Sequence, residues 1–271
     1  IDQVPPQDYQ RLESDSKVDL VTINGGRIIT IQINQNRVEA FKDVRVRNAI
    51  VHAINNAGIV EKIMKGTVEV AAQQSPPGYA GYKASLKPRY DLAKAKALMK
   101  EAGYEKGFEI TMMAPNNRYV NDAKIAEASA QMLAKIGIKV NLKTMPKAQY
   151  WDEFDARAAD MMMIGWHSDT EDSGNFSEFL TMCYNKETGF GQYNSGYCNK
   201  KVDELTLAAQ SEIDLDKRAS MLQEIEQILY DDAAFVPYHW QNHAYGAKKN
   251  FKIKPILNSM NFPYIGDLVI E

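Results

Sequence analysis

Strand and helix patterns alternate between residues 108 and 164, and this alternation restricts the possible folds more than any other feature of the sequence. Strand patterns cover residues 108–114, 138–144 and 161–164, and helical patterns over 121–136 and 148–157 separate them. Consecutive strands that are joined by a helix usually pair in parallel, and the helices then cover both faces of the sheet. The sequence therefore predicts an α/β fold with a mixed, largely parallel sheet.

Helical patterns also lie on either side of this block. The apolar spacing after Asp43 predicts a helical stretch that ends at Gly66 and is kinked or divided at Gly58. Asp91 is expected to cap a helix over residues 92–102. Two further helices are expected over residues 201–210 and 215–230.

Both ends of the chain are rich in strand patterns. Strands are predicted over residues 18–23 and 27–34, with a hairpin turn at Asn24-Gly25-Gly26 between them, and again over residues 234–239 and 245–253. A chain that leaves one structural unit, builds a second and then returns must cross between the two units twice.

The two crossings are expected near residues 34–41 and 240–243, and two crossings form a hinge. We therefore expect residues 1–36 and 242–271 to be parts of a first, incomplete lobe. Residues 37–241 would form a second, ligand-binding α/β lobe.

Composition argues against two classes of function. The formal net charge of -3 is not the basic excess of a typical nucleic-acid binder, so no nucleic-acid partner is expected. No apolar stretch approaches the ~20 residues that a membrane-spanning helix needs. The hydrophobic fraction of 45% and the charged fraction of 25% are typical of a globular protein.

The chain has two cysteines, Cys183 and Cys198, which lie in a loop-like stretch rich in Gly, Asn, Thr and Tyr. One pair without a leftover thiol predicts a disulfide and hence an oxidising compartment. The alternative is two unrelated free thiols. A metal site is less well supported, because no His or Cys partner lies at ligand spacing.

The segment Gly165-Trp166-His167-Ser168-Asp169 follows the predicted strand over residues 161–164. Open α/β sheets bind ligands at the carboxyl ends of their strands. An indole and a carboxylate at that edge suit a small amphipathic cation, such as the amino end of a peptide, so Trp166, His167 and Asp169 are candidate ligand-binding residues. In the alternative interpretation, Trp166 belongs to the core and Asp169 caps a turn.

Arg118 follows the strand over residues 108–114 and so lies at a second strand end. Its guanidinium could bind a carboxylate bidentately. The neighbouring Asp122 or Asn121 is expected to cap the helix that follows.

Catalytic and metal-binding patterns are weak in this sequence. It contains no Gly-rich phosphate loop, G-x-S-x-G, HExxH or EF-hand pattern, and we expect no catalytic residue, cofactor or metal. His239 and His243 lie on an extended segment, about 13 Å apart, which is too far to share a metal. Asp169, Glu171 and Asp172 leave two alternatives open, a calcium loop or the carboxylate pair of a hydrolase.

Several separated motifs resemble those of the bacterial extracellular solute-binding proteins of the dipeptide/oligopeptide-binding family. The clearest is FKDVRVRNAI at residues 41–50, which resembles the signature F-x-D-x-R-V-R-x-A-I. The other motifs are PPG at 76–78, YDLAKAKALM at 90–99, AGY at 102–104 and GWHSD at 165–169. The resemblance covers essentially the whole chain in order.

This resemblance implies a periplasmic-binding-protein type II fold that closes on a small peptide and delivers it to the permease subunits of an ABC transporter in the inner membrane. It implies the C-terminal portion of such a protein, with Asp169 pairing with the ligand's amino group, Trp166 packing on it, and Arg118 meeting its carboxylate. Cys183 and Cys198 resemble a disulfide of some members. We expect a monomer in the periplasm or outside the cell, as an anchored lipoprotein in a Gram-positive host. Relatives also carry nonpeptide solutes, namely glutathione, opines, sugars and metal chelates.

Overall fold

A six-stranded mixed sheet organises the computed structural model, which describes residues 1–271. Its strands are β1 (Val18–Ile33), β2 (Glu69–Val70), β3 (Phe108–Pro115), β4 (Ile138–Met145), β5 (Met161–Trp166) and β6 (Phe235–Lys248). They lie across the sheet in the order β2-β6-β1-β5-β3-β4. A separate two-stranded sheet near the C-terminus pairs β7 (Phe251–Lys252) with β8 (Val269–Ile270).

Nine α-helices accompany the strands, and none of them combines the length and the apolar character that crossing a membrane requires. They are α1 (Tyr9–Glu13), α2 (Val44–Ala53), α3 (Asn56–Lys62), α4 (Leu92–Glu101), α5 (Asp122–Ala134), α6 (Lys147–Asp155), α7 (Ser173–Leu180), α8 (Lys200–Ser211) and α9 (Leu215–Asp231). The carboxylates of Asp43, Asp91 and Asp214 accept backbone N–H groups at the starts of α2, α4 and α9, and the predicted cap at Asp91 is thus confirmed.

Alternating side chains of β1 and β5 enter two different apolar cores. Ile29, Ile31, Met161 and Met163 belong to the larger core. Their neighbours Ile28, Met162 and Ile164 belong to a second core together with Tyr150 of α6 and Phe176 of α7. Since successive strand residues point to opposite faces, the sheet is covered on both faces, as the sequence predicts.

The mixed sheet is confirmed, but its parallel part is smaller than predicted. Only β3 pairs in parallel, with β4 and with β5, and these strands are linked by α5 and α6. The long strands β1 and β6 join the sheet in antiparallel orientation. They come from the two ends of the chain, and no crossover helix forces β1 into parallel alignment with either of its neighbours.

The predicted hairpin at Asn24-Gly25-Gly26 is wrong, because β1 runs through it as one strand. These residues instead form an irregularity in the pairing with β6, between Ile23 and Arg27. A Cβ atom on Gly25 would collide with the carbonyl oxygen of Gln241, and one on Gly26 would collide with the Tyr79 hydroxyl. The glycines therefore serve close packing rather than a chain reversal.

The predicted break in the last strand is also wrong, because β6 continues through residues 240–243. Trp240, Gln241 and His243 all pair with β1, which supplies their backbone partners and keeps the segment extended. The assignment of residues 1–36 and 242–271 to one lobe and of residues 37–241 to another stays a prediction.

The predicted disulfide between Cys183 and Cys198 is confirmed. The two cysteines are 15 residues apart in the chain, and their Cα atoms lie 4.4 Å apart. The bridge closes the loop between α7 and α8.

Replacing both cysteines with serine is expected to lower the free energy of unfolding by about 3 kcal/mol, because the unfolded chain then regains the entropy of an open loop of this size. Urea unfolding followed by circular dichroism measures the change. Treating the unaltered protein with a reductant is expected to reproduce it, and reductant should leave the double variant unchanged. Equal stability of the two proteins under oxidising conditions would contradict the prediction.

Glu226 of α9 is fully buried and holds the chain segment that follows β2. Its two carboxylate oxygens accept the backbone N–H groups of Gln74 at 3.1 Å and Ser75 at 3.0 Å. Burial raises the pKa of Glu226 from 4.5 to about 7, and the two backbone hydrogen bonds oppose that rise.

A raised pKa in the folded state means that Glu226 favours folding below pH 4.5 and that this contribution is lost as the pH rises through about 7. Its full size is on the order of 3 kcal/mol. We expect Glu226→Gln to remove this loss. Burial lowers the pKa of His239 from 6.5 to about 3. The contribution of His239 to stability therefore has the opposite pH dependence: it is lost as the pH falls below 6.5. The difference in unfolding free energy between variant and unaltered protein, followed from pH 4 to 8, isolates the Glu226 contribution, and the exposed Glu224→Gln is the control.

Candidate functional site

A cavity of about 390 Å³ opens at the edge of the sheet where β3 and β5 end. Its walls come from β1, the end of β5, α6, the loops that follow β3 and β5, and the loop between α7 and α8. Eleven residues line it: Arg27, Arg118, Tyr119, Trp151, Asp155, Ile164, Gly165, Trp166, His167, Asp169 and Tyr193. A volume of this size falls within the range of small-molecule sites.

The four predicted ligand-binding residues therefore line one cavity. Trp166, His167 and Asp169 come from the end of β5, and Arg118 comes from the loop after β3. The two strands are parallel neighbours, so their carboxyl ends meet at one edge.

Gly165 fixes the direction in which the chain leaves β5. Its backbone N–H donates to the Tyr119 hydroxyl at 2.8 Å. A Cβ atom at this position would lie 2.6 Å from Ile29 Cδ1 and 2.8 Å from Tyr119 Cε1. A larger residue would push the strand end away from Tyr119, and with it Trp166 and the residues that follow.

Trp166 is held by its neighbours while part of its ring lines the cavity. Its indole N–H donates to Asn175 Oδ1 at 2.8 Å. Its ring packs against Phe179 and Tyr193, with ring centroids 4.9 and 5.0 Å away. The side chain is half-buried, so core packing and cavity lining are combined in one residue.

Arg27, His167 and Asp169 form a chain of polar contacts along the cavity wall. Arg27 Nη2 lies 3.3 Å from His167 Nδ1, and His167 Nε2 lies 3.1 Å from Asp169 Oδ1. A guanidinium can only donate, so Nδ1 must accept and the proton of a neutral imidazole lies on Nε2, where it is donated to Asp169. Burial, and then the charge of Arg27, lower the pKa of His167, which agrees with a neutral ring.

Asp169 remains accessible from the cavity, because its side chain is 68% exposed. The alternative interpretation, in which Asp169 caps a turn, is not supported. The hydroxyl of Ser168 does this instead, accepting the backbone N–H groups of Thr170 at 3.2 Å and Asp172 at 3.4 Å. The Asp169 carboxylate therefore accepts no backbone hydrogen bond in this turn.

Arg118 is positioned through its backbone. The buried carboxylate of Asp122 accepts the backbone N–H groups of Arg118 at 2.9 Å and Tyr119 at 3.0 Å. The guanidinium lies 4.9 Å from the centroid of the Tyr119 ring and makes no hydrogen bond or ion pair with a protein acceptor. Its donors therefore face the cavity without partners.

Sequence reasoning missed five polar or aromatic residues of the cavity wall, namely Arg27, Tyr119, Trp151, Asp155 and Tyr193. Arg27 sits next to the Gly25-Gly26 pair that was assigned to a hairpin. Ile28 pairs with Trp166, and this register carries Arg27 to His167. The only indication of Tyr119 in the sequence was its position directly after the candidate Arg118.

The calcium loop and the carboxylate pair are not supported by the geometry. Asp172 turns away from Asp169 to accept from Gly174 N at 2.7 Å and to pair with Arg218 at 2.8 Å. No group of three or more acidic, His or Cys side chains converges to hold a metal ion. His239 is fully buried, and His243 Nε2 contacts the Ser259 carbonyl oxygen at 3.0 Å.

Comparison with known proteins shows which protein family this sequence matches. Residues 1–188 match the family model described as bacterial extracellular solute-binding proteins, family 5 Middle. The chain is 31% identical over 236 residues to the dipeptide-binding protein of Escherichia coli, a match that covers 84% of this chain and 43% of that protein. It is 30% identical over 236 residues to di/tripeptide-binding protein 1 of Pseudomonas aeruginosa, covering 86% of this chain and 43% of that protein. The chain thus spans less than half the length of these relatives.

A solved structure gives the same picture. The periplasmic binding protein DppA from Helicobacter pylori, in complex with the peptide STSA, superposes with a TM-score of 0.86 at 25% identity. The superposition covers 98% of this chain and 51% of that one. Almost every described residue therefore has a counterpart in a periplasmic binding protein, which confirms the predicted fold.

Proposed function

The chain belongs to the family 5 bacterial extracellular solute-binding proteins, and from that premise we propose that it supplies the peptide-binding surface of an ABC importer's substrate-binding protein. One observation carries the proposal. An accessible carboxylate beside an indole, and an unpaired guanidinium, line one cavity of small-molecule size. A short peptide carries the complementary groups, an ammonium at one end and a carboxylate at the other.

In the proposed mode, the peptide's α-ammonium donates to the carboxylate of Asp169, and its first residue lies against Trp166. The carboxylate at the other end of a dipeptide accepts from Arg118, whose donors have no partner in the protein. His167 contributes by donating to Asp169 and holding its carboxylate toward the cavity. Charged hydrogen bonds of this kind are the strong ones in ligand recognition.

We further propose that residues 1–36 and 242–271 belong to one lobe and residues 37–241 to the other, and that the lobes close on the peptide. Closure removes water from the Asp169–ammonium pair and so strengthens it. The complete protein would work as a monomer outside the inner membrane and hand its peptide to the permease subunits. It would bind the peptide without chemical change, since His167 contacts only Arg27 and Asp169 and no nucleophile.

The test is to incubate the complete protein with a mixture of di- and tripeptides and to analyse it by native mass spectrometry. The proposal predicts intact peptides bound at one per protein molecule. Cleaved products would favour a hydrolase, and a protein that retains no peptide at all would contradict the proposal.

A further inference from the structure

Arg27 has hydrogen-bonding capacity that the protein does not satisfy. Its Nη2 contacts His167, but its Nε is buried and has no hydrogen-bond partner. The guanidinium of Arg118, which lines the same cavity, has no acceptor either. Two cationic side chains that have no carboxylate partner thus line one cavity.

Leaving the buried Nε of Arg27 unpaired is costly, because a cation that is shielded from water loses hydration without gaining an acceptor. Burial lowers the pKa of Arg27, and the nearby charge of Arg118 lowers it further. A negative group between them would relieve both effects. Asp155, the other carboxylate of the wall apart from Asp169, is exposed and pairs with neither arginine.

The proposed peptide mode leaves Arg27 without a partner. A dipeptide with neutral side chains has one ammonium for Asp169 and one carboxylate for Arg118. Such a ligand has no second anionic group for the Arg27 guanidinium. A ligand with a second carboxylate would supply one.

The contacts also indicate where on the ligand the second carboxylate lies. Arg27 and Asp169 touch opposite nitrogens of one imidazole ring, that of His167. The Arg27 guanidinium and the Asp169 carboxylate are therefore separated by the His167 ring and its two contacts, a span that an extended acidic side chain of a ligand held at Asp169 can bridge. The side chain that starts at the same Cα atom as the ammonium is that of the first residue.

We propose that Arg27 binds an acidic side chain on the first residue of the peptide, so that the protein selects peptides that begin with glutamate or aspartate. This inference rests on the proposed function and deepens it. Arg27 would then determine specificity, while Asp169 and Arg118 recognise the two ends that all dipeptides share.

The experiment is isothermal titration calorimetry on the complete protein with Glu-Ala and Gln-Ala, which have the same length and nearly the same shape and differ in one negative charge. Glu-Ala is expected to bind about tenfold or more tightly, as one charged hydrogen bond implies. In Arg27→Met the two peptides should bind within about threefold of each other. Arg11→Gln, which removes an exposed arginine paired with Asp8 on the surface, should retain the full preference.

Equal affinities of the unaltered protein for Glu-Ala and Gln-Ala would overturn the inference, and so would a preference that survives in Arg27→Met. Titration with Ala-Ala separates this failure from that of the proposed function. If Ala-Ala binds but glutamate gives no advantage, only the role of Arg27 is wrong. If none of the three peptides binds, the proposed peptide site is wrong as well.

Discussion

Replacing Asp169 with alanine is expected to weaken dipeptide binding by roughly 30-fold or more. Removing one partner of a desolvated charge pair typically costs about 2–5 kcal/mol, and each 1.4 kcal/mol is a factor of ten. The carboxylate is accessible before the ligand arrives and already accepts from His167. The peptide's ammonium would therefore meet an oriented acceptor, and in the variant it would be desolvated with none.

Isothermal titration calorimetry of the complete protein measures this effect. The control is Asp152→Asn, which removes an exposed carboxylate from α6, the helix that also carries Trp151 and Asp155 of the cavity wall. The control should bind with unchanged affinity. If Asp169→Ala also binds as well as the unaltered protein, the ammonium is held elsewhere.

Replacing Asp172 with alanine is expected to lower the free energy of unfolding by about 3–5 kcal/mol, the range for breaking a buried ion pair. The Asp172 side chain is only 7% exposed and lies 2.8 Å from Arg218 Nη2. Its other oxygen accepts the backbone N–H of Gly174 at the start of α7. The variant leaves Arg218, itself 22% exposed, without its anion and leaves the helix uncapped.

Chemical denaturation of the complete protein tests this expectation. The control is Lys217→Ala, which breaks an exposed pair with Asp214 in the first turn of α9. Exposed pairs contribute about 0–1 kcal/mol, so the control should unfold nearly as the unaltered protein does. A similarly small effect for Asp172→Ala would mean that the buried pair and the cap do not stabilise this part of the fold.

The alternation of strands and helices from β3 to β5 was predictable because it depends on local patterns. Apolar periodicity, Asp caps and glycines after helices act within a few residues of one another. The left-handed conformation of Gly66, for example, agrees with its predicted role at the end of a helix. The pairing of Cys183 with Cys198 was equally accessible, since the chain has no other cysteine.

The course of β1 was not predictable from local patterns. Asn24-Gly25-Gly26 is a strong hairpin signal over a short range. It is overridden by pairing with β6, more than 200 residues away, which holds the segment extended on both sides. Glycine is needed at these positions because Gln241 and Tyr79 leave no room for a Cβ atom. Neither contact can be predicted from the local sequence.

The same non-local register explains which part of the site could be predicted. Trp166, His167 and Asp169 lie at the end of β5 or just after it, so predicting where this strand ends was enough to place them at the sheet edge. Arg27 reaches the cavity because Ile28 pairs with Trp166 across two strands that are far apart in the chain. A register between distant strands depends on the packing of the whole sheet, and no short motif encodes it.

The proposed peptide binding depends on the attraction between the Asp169 carboxylate and a peptide's free amino group. Calorimetric titration of the complete protein with Ala-Ala and with N-acetyl-Ala-Ala tests this attraction most directly, because acetylation removes the ammonium charge and leaves the rest of the peptide intact. We expect the acetylated peptide to bind at least about 30-fold more weakly. Equal affinity for the two peptides would contradict it.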